Sequence, residues 1–92
     1  MARGFGKVVN CRRQRYDVYV GRPSKWGNPF VIGRDGERDA VIAKFRVYLL
    51  THPALLEDCK HELRNKVLGC WCAPKRCHAE VLVELANEDD GT

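Results

Sequence analysis

Val67-Leu68-Gly69-Cys70-Trp71-Cys72-Ala73-Pro74-Lys75-Arg76-Cys77-His78 is the stretch on which the fold turns. Its first six residues form an apolar run after Lys66, of a length that suits a buried strand. Pro74 stops the strand and can open the last helix, because proline is welcome at a first helical position. Val81, Leu82 and Leu85 then give that helix its core face. Strand followed at once by helix is the signature of an α/β domain. Alternation along the strand puts Cys70 and Cys72 on one face and Trp71 on the other. Cys77 and His78 fall in the first turn of the helix.

Two further helices precede this stretch. Asp39 can cap one that runs to about Leu50, with Val41, Phe45, Tyr48 and Leu49 at helical spacing. Thr51-His52-Pro53 ends it and starts the next, whose apolar stripe is Leu55, Leu56, Cys59 and Leu63. Cys59 reads there as a small core residue. Further upstream, Lys7 to Cys11 reads as a strand. Arg15 to Val20 reads as a half-buried one, with Tyr16, Val18 and Val20 on one face. Gly21-Arg22-Pro23-Ser24-Lys25-Trp26-Gly27-Asn28-Pro29 breaks regular structure. Phe30-Val31-Ile32 is a brief extended piece, and Gly33-Arg34-Asp35-Gly36 is a turn. The expected order is β-β-(β)-α-α-β-α: a single α/β domain over residues 1–92, its small sheet of three to four strands covered by about three helices. Which strands pair is not encoded locally.

The 92 residues are 45% hydrophobic and 30% charged, ordinary for a globular protein. No apolar run approaches the roughly 20 residues of a membrane span, and Met1 to Lys7 lacks the apolar stretch of a secretory signal. An odd cysteine count, five, argues against a secreted disulfide scaffold. A cytoplasmic location is expected, the host cytoplasm if the protein is phage-encoded. Net charge is +4, and it is unevenly spread. Residues 1–34 carry eight basic and one acidic group; residues 35–92 carry eight basic and eleven acidic, ending in an acidic tail over 88–92. The basic N-terminal third suits an anionic partner, a small phosphorylated molecule or nucleic acid. A solvated surface is the plainer explanation.

Two segments hold the residues suited to chemistry. In the Gly/Pro loop Arg22 and Lys25 can hold an anion, Ser24 and Asn28 can hydrogen-bond, and Trp26 offers a stacking face. Read structurally, the same loop is a rigid turn with Trp26 plugging the core and Asn28 satisfying backbone groups. The cysteine segment has three readings. Cys70, Cys72, Cys77 and His78 supply four zinc ligands, but the spacing departs from the usual knuckle, and adjacent helical residues diverge by about 100°. Alternatively Cys72, Cys77 and His78 line a ligand pocket at a helix start, where N–H groups favour anions and can lower a thiol pKa. In the third reading the cysteines only fill the core. His52 and His61 have no assigned role.

Val18 to Phe30, Gly33-Arg34-Asp35-Gly36, and Leu68 to Pro74 with Cys77-His78 together resemble the domain of unknown function 4326 family, small proteins of bacteria and their phages. The likeness covers residues 16–87, with both motifs in order and spacing. The family pattern has Gly after the Cys-His pair and often Asp next; this chain has Ala79 and Glu80. The Cys…Cys-His arrangement is also similar, more loosely, to another α/β family, domain of unknown function 488, which favours a pocket over a zinc knuckle. Neither resemblance carries an established activity.

The expectation is therefore an α/β domain whose Arg22–Phe30 loop and Cys72–His78 segment converge on a phosphorylated or nucleotide-like ligand. The alternative is a small nucleic-acid- or protein-binding module, held by zinc or by packing alone. Turnover is left open: neither segment contains an Asp or Glu to form a paired carboxylate.

Overall fold

The computed structural model describes residues 6–73 and 75–88. Its elements are β1 (Lys7–Asn10), β2 (Val18–Tyr19), α1 (Arg38–Leu50), α2 (Pro53–Glu62), β3 (Val67–Cys70) and α3 (Ala79–Ala86). The sheet has the order β1-β3-β2, and both pairings are parallel. Lys7 to Asn10 sit opposite Val67 to Cys70, and Val18 and Tyr19 opposite Leu68 and Gly69. The last strand in the chain is therefore the central one.

Parallelism is the fact that positions the site. All three strands end at one edge, so the loop after β2 and the segment after β3 leave the sheet side by side. Leu68 and Cys70 point into the core with Phe45 and Leu49 of α1, Cys59 and Leu63 at the end of α2, and Leu82 and Leu85 of α3. Gly69 points to the opposite face, where the ring of Tyr16 lies against it.

Several elements are shorter than their patterns suggest. The second strand contracts to Val18–Tyr19 because the Asp17 carboxylate accepts the Val67 N–H (2.7 Å), the place of a strand carbonyl. Tyr16 then lies over Gly69 rather than on the face of Val18 and Val20. Phe30-Val31-Ile32 is not a strand. Val31 donates its N–H to the Asp35 carboxylate and accepts from the N–H groups of Arg34 and Asp35, so nothing is left for a ladder. Gly36, at φ 129°, closes that turn in a conformation side chains resist. Asp39 sits in the first turn of α1, and Glu37 holds the capping position. Pro53 does begin α2.

The last helix starts later than expected. It begins at Ala79, so Cys77 and His78 precede its first turn and His78 occupies the N-cap position. Pro74, read as the helix opener, lies outside the described residues, as does the acidic tail beyond Glu88.

Candidate functional site

A half-open cavity of about 230 Å³ lies at the sheet edge where the strands end. Gly21, Arg22, Asn28 and Phe30 form one wall; Cys70, Cys72, Cys77 and His78 form the other. Tyr19 and Trp71 border the strand ends, and Arg38 and Arg76 complete the rim. Among the described residues no Asp or Glu lines it.

Hydrogen bonds between remote segments fix this geometry. Trp71 donates its indole N–H to the Tyr19 hydroxyl (2.8 Å), which donates onward to the Arg22 carbonyl (2.9 Å). That relay ties the end of β3 to the loop after β2. From the other side, the Asn10 amide donates to the carbonyls of Trp71 (3.3 Å) and Ala73 (2.9 Å). Arg38 donates from Nη1 to the Arg76 carbonyl (2.8 Å), joining the start of α1 to the cysteine segment.

His78 is buried, its ring edge-on to Phe45 at 5.0 Å. Nε2 lies 2.8 Å from the Val20 carbonyl. A carbonyl only accepts, so Nε2 carries a proton. Burial pushes the His78 pKa below its usual value; carbonyl contacts with Val20 and Trp26 oppose this, and the nearby Arg22 charge adds to it. His78 is thus a neutral strut between the motifs.

The loop residues divide. Arg22 and Asn28 reach the cavity, and Asn28 is also buried structural glue: its amide donates to the Val41 carbonyl (3.2 Å) and its oxygen accepts the Phe30 N–H (2.9 Å). Ser24, Lys25 and Trp26 do not line it. Ser24 closes the turn through the Gly21 carbonyl (2.6 Å). Lys25 pairs with Glu62 (2.9 Å) and Asp58 (3.4 Å) on α2 while lying over the Trp26 ring. Trp26 is 4% exposed and belongs to the core, whereas Trp71 is 57% exposed at the rim. The indole exposed at the cavity rim is therefore Trp71.

Cys70 and Cys77, the buried pair of the cysteine segment, bring their sulfurs to 3.0 Å. The Cys77 thiol and the backbone N–H groups of Ala73 and Cys72 hold the Cys70 pKa below the ordinary thiol range. Its partner Cys77 is pushed upward, chiefly by Cys70 itself. By contrast, burial raises Cys59 to about 11, as for an inert core thiol. Among the described residues no group of three or more His, Cys, Asp or Glu is gathered to hold a metal ion. No helix there is long and apolar enough to cross a membrane.

The family model of the domain of unknown function 4326 matches residues 7–88, which takes in all six elements. The chain belongs to this family. It is also similar to the "Uncharacterized 12.4 kDa protein in nrdA-td intergenic region" of Enterobacteria phage T4. The two are 34% identical over 85 residues, 88% of this chain and 77% of the relative. No solved structure matches the chain.

In this member of the 4326 family the sequence reading missed Tyr19, Arg38, Trp71 and Arg76 as lining residues. One signal was present for Arg38. A cation in the first helical turn opposes the helix dipole, an unfavourable placement that calls for another reason.

Proposed function

We propose that the protein binds a phosphorylated or nucleotide-like small molecule in the cavity at the sheet edge. The observation that carries this reading is three arginines around a cavity that no carboxylate lines among the described residues. Arg76 is engaged by Asp39 (2.7 Å) and Glu80 (3.4 Å), so Arg22 and Arg38 are the cations offered to a phosphate. Trp71 presents the stacking surface for a base or sugar ring. A mostly apolar cleft with a few convergent polar groups is the usual form of a small-molecule site.

A thermal-shift series with inorganic phosphate, sugar phosphates and nucleotides tests it. A ligand at ~100 times its Kd adds about 2.7 kcal/mol to stability. Arg22→Ala and Arg38→Ala should remove the shift, and Lys25→Ala, outside the cavity, should keep it. A shift lost in Lys25→Ala but retained in both arginine variants would place the ligand elsewhere.

A second reading rests on Arg12, whose guanidinium lies 5.7 Å over the exposed Trp71 ring, with Arg13 in the same turn and Arg15 just after it. Aromatic rings flanked by arginines suit single-stranded nucleic acid. Three phosphate contacts would give log affinity a slope of about −2 against log salt. A flat salt response would set this reading aside.

A further inference from the structure

Anion binding makes no use of the two sulfurs in the cavity wall. Cys70 ends β3 and Cys77 lies just before α3, and their Sγ atoms are 3.0 Å apart. They are 2% and 4% exposed, and both line the cavity, which is their route to solvent. A disulfide bond is about 2.05 Å long, so closing the pair needs a movement of only about 1 Å. The backbone N–H groups of Cys72 and Ala73 aim at the Cys70 sulfur and favour its anion; Cys77 receives one such group, from Ala79. The two sulfurs therefore have different parts: Cys70 is the attacking thiolate and Cys77 the proton-bearing partner.

We propose that Cys70 and Cys77 form a redox-active dithiol which a small hydroperoxide entering the cavity converts to a disulfide. The Cys70 thiolate attacks the terminal, hydrogen-bearing oxygen of the hydroperoxide. The O–O bond breaks, Cys70 becomes a sulfenic acid, and the departing alkoxide takes a proton from solvent to leave as an alcohol (water, for hydrogen peroxide). The Cys77 sulfur then attacks the Cys70 sulfur. The S–S bond forms, the S–O bond breaks, and the oxygen leaves as water carrying the Cys77 proton. The dithiol is oxidised by two electrons and the hydroperoxide reduced by two. An external dithiol restores the starting state through a mixed disulfide, becoming a disulfide itself. A cavity of about 230 Å³ admits hydrogen peroxide but not the surface of a second protein, which makes a small oxidant the fitting partner.

The test uses the full chain. It is treated with hydrogen peroxide, denatured, alkylated with N-ethylmaleimide and mapped by peptide mass spectrometry. Cys72 shares a tryptic peptide with Cys70, so Cys72→Ser is mapped in parallel. The expected result is a crosslink between the Cys70 peptide and the Cys77 peptide in both proteins, reversed by dithiothreitol. In Cys77→Ser the sulfenic acid should persist and be captured by dimedone on Cys70. All five thiols still alkylating after peroxide, a crosslink that vanishes with Cys72→Ser, or a sulfinic acid without any crosslink would each overturn the proposal. The wild-type map needs no variant to fold, and it stands whether or not the cavity binds an anion.

Discussion

His78 carries the clearest residue-scale consequence. Burial depresses its folded pKa below the usual value of about 6.5, so the unfolded chain binds the proton more readily. Its contribution to stability is whole above about pH 6.5 and is lost as pH falls toward the folded pKa. Thermal melts from pH 8 to pH 5 should show the midpoint falling with acid, and His78→Gln should flatten the part of that fall below about pH 6.5. Glutamine can still donate to the Val20 carbonyl, whereas His78→Ala orphans that buried acceptor. Alanine should therefore cost about 1–3 kcal/mol by urea denaturation, and glutamine less. Trp26 and Trp71 teach the complementary lesson. Both are indoles in a motif, and nothing local says which one turns inward. Acrylamide quenching should fall almost wholly on Trp71, 57% exposed against 4% for Trp26, and a stacked ligand should protect it. Quenching unchanged in Trp71→Phe would contradict this arrangement.

At the scale of elements, helices were the legible part. α1 and α2 appear within a residue or two of their apolar stripes, since helical periodicity runs over many residues and survives local noise. Strands of two to four residues carry too little pattern, and side chains displaced backbone partners at their ends. The Asp17 and Asp35 carboxylates each took a backbone N–H that an extended strand would have shared. Gly69 supplies the element-scale prediction. A methyl group there would meet Cγ of Tyr16 at 2.6 Å and its Cβ at 3.1 Å, too near the chain for the ring to swing clear. Gly69→Ala should destabilise the domain by about 1–3 kcal/mol, as overpacking does. Chemical denaturation checks it, and Tyr16→Ala in the same chain should recover most of the loss.

For the whole molecule, the core is one cluster shared by all three helices, so its members should be costly to truncate. Leu68 is fully buried on the central strand, and Leu68→Ala should cost about 2–5 kcal/mol in equilibrium unfolding. The candidate site was half legible. Arg22, Asn28, Cys72, Cys77 and His78 were named from residue type and meet at one cavity; Ser24, Lys25 and Trp26 were named on the same grounds and serve the loop and the core instead. By itself the sequence determined the α/β class, the first two helices and the two strand-following segments rich in polar groups and thiols, because apolar period and turn chemistry are local. Only the tertiary structure decided that β3 lies between β1 and β2, that Trp71 rather than Trp26 borders the cavity, and that Cys70 meets Cys77. Those outcomes depend on contacts between residues distant along the chain, which compete for the same space and the same backbone groups, and no local pattern records which of them wins.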